Sequence, residues 1–337
     1  MGQKVTIMTI AKAAGVSHTT VSRALNDSPL VQDATKQRIK EIAASLGYHP
    51  NINAKALVER KSYIVGAYFT DLDNGTTPAF MFNAINQARQ SIPTEYSVAV
   101  NSFANIKPTV PSLAAPRCDG ALVISQASSD DPYIQKLSQS GLPIVVVNRK
   151  ANLPGVFNVV SDDQKGISTA VDFAISQGHR HFGLINGKSG FDSSKKRRLG
   201  TINSLQRQGL SLLSGCDQPG QYTFGSGYMA MKRILEAPVL PTCVVAANDV
   251  MAIGAMRACA DAGLNVPGQI SFIGYDDTAA ANYCLPRLTT VHKPTREMIQ
   301  VGMQWLIQEI GQHQLAHSRR KVIAPRLVVR DSVVKLN

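Results

Sequence analysis

The sequence predicts a small all-α helix-turn-helix head followed by an α/β core of two doubly wound parallel-sheet subdomains. Three observations carry this reading. Three short helical patterns crowd into the first 47 residues, apolar strand-like runs alternate with amphipathic helices from Ser62 onward, and 337 residues give room for two or three domains.

In the head, Ile10, Ala13 and Ala14 form one apolar face that stops at Gly15, and Ser17 is placed to cap a second helix with Val21, Ala24 and Leu25 turned inward. A third helix puts Ile39, Ile42, Ala43 and Leu46 on one side and ends at Gly47. Gln32 offers no capping hydroxyl ahead of it, so its cap is expected at Asp33. In the body the strand-like runs are Ile64–Phe69, Tyr96–Val100, Gly120–Ile124, Ile144–Val147, Phe182–Ile185, Cys243–Ala246 and Ser271–Tyr275. Parallel sheets of this kind bind ligands beyond the carboxyl ends of their strands, so a cleft between the two halves is expected.

Lys and Arg number 35 against 23 Asp and Glu, a net charge of +12, which makes a polyanion a natural partner. Residues 1–61 carry +5 of it, so charge density is highest in the head. Cys118, Cys216, Cys243, Cys259 and Cys284 never pair as CxxC, which argues for reduced thiols, a cytoplasmic location and no zinc cage. No run of eighteen apolar residues and no signal-peptide pattern occurs. A G-x-S-x-G elbow, a P-loop and HExxH are all missing, so the expectation is no catalysis, no metal and no cofactor.

The segment Thr9–Asn26, TIAKAAGVSHTTVSRALN, has helix-turn-helix form. With Val21, Ala24 and Leu25 inward, His18, Thr19, Ser22 and Arg23 project from the second helix toward base edges of a major groove, where the Arg23 guanidinium can fork onto a guanine. Ser17, Thr20 and Asn26 are expected at phosphates, which position a helix without reading sequence. Residues 48–61 form about two turns of marginal helix, too few to stand alone. In the body, Asn148, Asn248 and Asp276 follow strands, where amides and carboxylates hold vicinal hydroxyls by paired hydrogen bonds. Arg149, Asp249 and Asp277 lie beside them, and Asn248 and Asp249 are equally suited to capping the helix Met251–Ala262.

VTIMTIAKAAGVSHTTVSRALN, LGYHPN, QGHRHFGLI, VVAANDVMAIGAMRA, VPGQISFIGYDDT and PRLTTVHKP stand in the order and at about the spacing found in the lac repressor (LacI/GalR) family, which the chain resembles over nearly its whole length. The resemblance implies a dimeric transcriptional regulator, usually a repressor, with a head at 1–47, a hinge at 48–61 and a core similar to periplasmic sugar-binding proteins. Its subdomains would span 62–161 with 293–320, and 162–292 with 321–332. It implies operator DNA, a small sugar-like effector and a second copy of the chain as partners, with no membrane. Thr35, Tyr48 and Asn51 join the backbone contacts, and Leu57, flanked by Ala54 and Lys55, falls where the family wedges a leucine into the minor groove. Asn148, Arg197, Tyr222, Asn248 and Asp276 fall at effector positions. The run KKRR, Lys195–Arg198, would give a basic mouth suited to a phosphorylated or acidic sugar. The segment 71–82 departs from the family's wording, which leaves a first-strand contact unplaced. A sugar-binding sensor without specific DNA regulation is the alternative. Gly225, Gly227 and Ala230 match GxGxxG/A but read as a helix-opening turn, and His179 with His181 reads as a loop pair.

Overall fold

The computed structural model describes residues 5–48, 59, 61–106, 117–312 and 320–336. The chain divides into two compact units, Met1–Lys61 and Ser62–Asn337.

The first unit holds helices α1 (Ile7–Ala14), α2 (His18–Leu25) and α3 (Asp33–Ser45). Thr6 and Thr9 close a reciprocal capping box on α1, and Gly15 ends it at φ +66°, a conformation that costs glycine nothing. The shared core is Ile10, Ala11, Ala14, Val21, Ala24, Val31, Ile39 and Ala43. Ala13, expected inside, is exposed and Ala11 takes its place, because Ala11 and Ala14 lie with Ile10 on one face. Leu46 lies one residue past α3 and is 37% exposed, since the helix stops before the periodicity can carry it inward. The cap of α3 does not move to Asp33: Gln32 holds the position without a side-chain bond, and Asp33 opens the first turn, paired with Lys36 at 2.9 Å.

The second unit contains two six-stranded sheets among the described residues. In the first, the order is β11 (Arg320–Ile323), β5 (Val156–Ser161), β4 (Ile144–Val147), β3 (Gly120–Ile124), β1 (Ile64–Phe69) and β2 (Ser97–Ser102), every neighbouring pair parallel. The helices α4 (Pro78–Gln90) and α11 (Thr295–Gln312) cover one face through Ala84, Ala88, Met298, Met303 and Leu306, and α5 (Asp131–Gln139) covers the other. In the second sheet, β12 (Arg326–Val328) lies antiparallel against β10 (Thr289–His292), followed in parallel by β9 (Ser271–Asp276), β8 (Cys243–Ala246), β6 (Phe182–Ile185) and β7 (Leu212–Gln218). Here α6 (Asp163–Ser176) and α7 (Asp192–Arg207) lie on one face, and α8 (Phe224–Leu235) and α9 (Asp249–Asp261) on the other, with the short α10 (Ala279–Tyr283) beyond.

The chain passes between the sheets after β5, after β10 and between β11 and β12. Because Arg320–Ile323 pairs with β5, the last passage lies beyond Ile323, three residues past the 320/321 division read from the sequence. The strands β5, β7, β10, β11 and β12 were not among the apolar runs. Asn158 interrupts β5, Gly215 and Asp217 break β7, and the other three are polar or only three or four residues long. The family's effector expectations all fall within this unit. The expected contacts Asn51, Ala54, Lys55 and Leu57 lie outside the described residues.

Candidate functional site

On the head, Ser17 Oγ caps α2 by accepting the Thr20 N–H at 3.1 Å and lies 2.9 Å from the Thr20 hydroxyl. This cap fixes where the helix begins and therefore which side chains turn outward. His18, Thr19 and Arg23 are exposed, Ser22 is half-buried beside them, and Val21 and Ala24 are buried behind. Asn26 is exposed at the carboxyl end of α2, while Thr35 and Tyr48 are half-buried. The Arg38 guanidinium donates to Ala14 O at 3.1 Å and ties α3 to the end of α1. The resulting face is a polar helix surface with one forked cation among hydroxyls and an imidazole, the donor and acceptor set that base edges require.

In the core, Asn148, Arg197, Tyr222, Asn248 and Asp276 line one narrow cavity between the two sheets. Four of the five come from segments that leave strands or open helices: Asn148 follows β4, Asp276 ends β9, Asn248 precedes α9 and Arg197 sits in the second turn of α7. Asn148, Tyr222 and Asp276 have φ of +86°, +61° and +106°, left-handed backbone that side-chain-bearing residues adopt only at a cost.

Arg197 organises the site. Its guanidinium donates to Asp163 Oδ2 from Nε (3.2 Å) and Nη2 (3.1 Å), to Ala247 O from Nη1 (2.5 Å) and to Asp276 Oδ1 from Nη2 (3.3 Å). It lies over the Tyr275 ring, 3.7 Å from the centroid. Burial opposes its charge, but Asp163 and Asp276 outweigh burial and keep the guanidinium protonated. Burial alone would raise the Asp163 carboxyl, yet Lys293 and Arg197 hold it below the usual range. Asp276, which shares those cations from farther away, is pushed up by burial. The Lys293 ammonium, pulled down by burial, lies 3.6 Å from Asp163 and donates to Asn148 Oδ1. Two cations and two carboxylates thus balance.

Asn248 both caps a helix and lines the cavity. Its Oδ1 accepts the Met251 N–H at 2.9 Å and starts α9, while its Nδ2 is buried without a partner in a residue that lines the cavity. The Tyr222 hydroxyl lies 3.1 Å from Ser193 Oγ and 2.7 Å from Ser194 Oγ. Its ring stacks on Phe191 with centroids 6.1 Å apart. Gly187 leaves the space for it: a Cβ there would meet the phenol oxygen at 2.2 Å.

Sequence reasoning missed Gln126, Lys293, Ser193, Thr76, Thr77 and Phe80, all on the cavity wall. The segment 71–82, left unplaced, supplies three of these at the start of α4. Gln126 spans the site: its Nε2 donates to Thr76 Oγ1 at 2.8 Å, and its carbonyl accepts the Asp192 N–H from the other sheet's side at 2.9 Å. Of the neighbours singled out, Arg149 turns away to Ser125 Oγ (2.5 Å) and Asp131. Asp277 binds His292 (2.9 Å) and Arg330 (2.5 Å). Asp249 accepts from Thr290 Oγ1 (2.5 Å) and Thr278 N (2.6 Å). The basic run divides likewise: Lys196 pairs with Asp192 at 2.6 Å and Arg198 with Asp217 at 2.7 Å, so it does not form an unopposed cationic mouth. All five cysteines are free thiols. Among the described residues no helix is long and apolar enough to cross a membrane.

A helix-turn-helix unit ahead of a two-sheet core with a polar cavity defines a DNA-binding transcriptional regulator with a ligand-binding body. A sequence profile described as "Bacterial regulatory proteins, lacI family" matches residues 6–51, and one described as "Periplasmic binding protein-like domain" matches residues 171–333. The probable HTH-type transcriptional repressor ExuR of Bacillus subtilis (strain 168) is 39% identical over 332 residues, covering 98% of this chain and 99% of its own. Among solved structures, the lac repressor dimer bound to operator and the anti-inducer ONPF superposes with a TM-score of 0.83 at 25% identity, covering 98% of this chain and 100% of that one. A complex of the transcriptional regulator CelR with cellobiose gives a TM-score of 0.71 at 28% identity, over 97% and 99% of the two chains. The chain belongs to the lac repressor family of bacterial regulatory proteins and is a DNA-binding transcriptional repressor, not an enzyme.

Proposed function

We propose that this repressor controls carbohydrate-utilisation genes in the cytoplasm, binding a palindromic operator as a homodimer and answering to a small sugar-like effector in the core cavity. The observation that carries the reading is the shared cavity of Asn148, Arg197, Tyr222, Asn248 and Asp276 in a chain that also bears the recognition helix. Amides, hydroxyls and a buried fork beside an aromatic ring are what a polyhydroxylated ring needs, with an orphaned Asn248 Nδ2 left to donate to it. The solved relative bound to cellobiose supports the same class of ligand.

On DNA, His18, Thr19, Ser22 and Arg23 read base edges in the major groove. Ser17, Thr20, Asn26, Thr35, Tyr48 and Asn51 hold the backbone, and Leu57 with Ala54 and Lys55 enters the minor groove between two heads. Ser17 serves this role by donating its hydroxyl proton to a phosphate oxygen, while its Oγ accepts the Thr20 N–H that caps α2. An effector that bridges Asn148 and Gln126 on one side and Arg197, Asn248 and Asp276 on the other draws the subdomains together, and a differential affinity for the two arrangements of ~1–3 kcal/mol is the usual scale of such coupling.

The test is selection of bound sequences from a random DNA pool, run at two salt concentrations and with neutral, acidic and phosphorylated sugars added. A palindrome whose enrichment one sugar class changes is the expected result. Salt-sensitive binding without a consensus would overturn it.

A further inference from the structure

The division between the two units falls between Lys61 and Ser62, and the first two residues on the core side are both gripped by a single carboxylate. Asp119, just ahead of β3, accepts Ser62 N (2.7 Å) and Ser62 Oγ (2.9 Å) on Oδ1 and Tyr63 N (2.8 Å) on Oδ2. The Tyr96 hydroxyl bonds to the same group. Asp119 is itself pinned to the sheet, its N–H donating to Ile64 O at 2.8 Å. Tyr63, buried and edge-on to Tyr96 with centroids 5.3 Å apart, has φ +55°. A bulky residue takes that left-handed conformation only where its surroundings compel it.

Pairing of β1 with β3 begins at Val65 opposite Gly120, and on the β2 side Tyr63 O accepts the Ser97 N–H at 2.9 Å, so the kink falls at the first residue that the sheet engages. What the kink and its carboxylate determine is the direction from which the chain reaches the core. Two backbone N–H groups are held on one carboxylate whose own N–H is bonded to β1.

We propose that Asp119 is a positioning residue for operator binding: by fixing the chain's exit from the core, it sets the separation and facing of the two heads in a dimer. The proposal rests on the dimeric, palindrome-reading function above. With the exit clamped, the point and direction at which each hinge leaves the core are fixed; with it released, each hinge starts from a longer and looser tether.

The experiment compares the full chain with its D119N variant on the selected palindrome and on the same palindrome with one or two base pairs inserted at its centre. Each inserted pair rotates and displaces one half-site, so the unaltered chain should lose at least ~10-fold in affinity. D119N, which keeps the shape of the side chain and removes its charge, should bind the uninserted site more weakly and lower the ratio by which the inserted sites are disfavoured. A D119N variant with a lowered melting temperature but the same discrimination ratio would reduce the clamp to a stability device and overturn the proposal. S62A, which removes one donor and leaves the carboxylate, should shift the ratio in the same direction to a smaller extent; it decides the matter if D119N does not fold. Failure of the unaltered chain to bind any palindrome would instead remove the underlying function, and this proposal with it.

Discussion

Arg197 shows how one residue can hold a site and a fold together. Its 4%-exposed guanidinium is the counter-charge of Asp163, itself buried to the same degree, and of Asp276. Removing it leaves the buried Asp163 carboxylate with Lys293 alone and the part-exposed Asp276 without its partner, and an uncompensated buried charge is far more costly than the pair was favourable. Arg197→Ala should therefore destabilise the core by about 3–5 kcal/mol in urea unfolding and abolish any effect of sugars on operator affinity. Arg197→Lys restores the charge without the planar fork and should recover stability better than response. The residue scale is also where the sequence was most informative. Asn148, Asn248 and Asp276 stood out as polar residues at or just past the ends of apolar strands, and all three line the cavity, Asn248 also capping α9 as the sequence equally allowed. Lys293 was not, since it follows the polar strand β10, and its importance arises from a passage between sheets that no local pattern reveals. Gln126 was hidden for the same reason: its bonds reach Thr76 and Asp192, distant in sequence on either side.

At the scale of elements, the pair α8 and α9 explains a motif that a nucleotide-binding reading would misassign. Gly227 and Gly254 are where these helices touch backbone to backbone: a Cβ on Gly227 would lie 2.1 Å from Met251 O, and one on Gly254 the same distance from Phe224 O. The glycines of GSGYMA open a helix, as read; close packing requires Gly227, while a Cβ on Gly225 would meet open space. Gly227→Ala gains helix propensity yet must push α9 aside, so a net loss of about 1–3 kcal/mol is expected, measurable as a lowered melting temperature of the core transition in calorimetry. Elements of strong period were legible throughout. Those missed, β5, β7 and β10 to β12, share interruption by Asn or Gly, or lengths too short for alternation to register, and their pairing is decided by the sheet that receives them.

For the molecule as a whole, the buried carboxyls oppose one another in their response to pH. Burial, with Asp276 adding to it, pushes Asp249 up to about 7 from an ordinary value of 3.8. The folded chain therefore holds a proton there that the unfolded chain has shed between those values, and this stabilisation, complete below 3.8, is lost as pH rises through about 7. Asp163 and Asp277 act in reverse: although burial disfavours their charge, Lys293 and Arg197 at the first and Arg330 and His292 at the second hold them below 3.8, so their contribution is lost as pH falls through that depressed range. On these groups the melting temperature should fall between about pH 4 and pH 7, and Asp249→Asn should flatten that decline. The three passages of the chain between the sheets, after β5, after β10 and between β11 and β12, have a consequence for descent. Each half of the core is assembled from separated stretches of the gene, so one recombination event cannot exchange a whole half with a relative. The walls of the cavity are inherited together, and new ligand preferences must arise by substitution at residues such as Gln126, Asn148 and Lys293 rather than by swapping one wall for another.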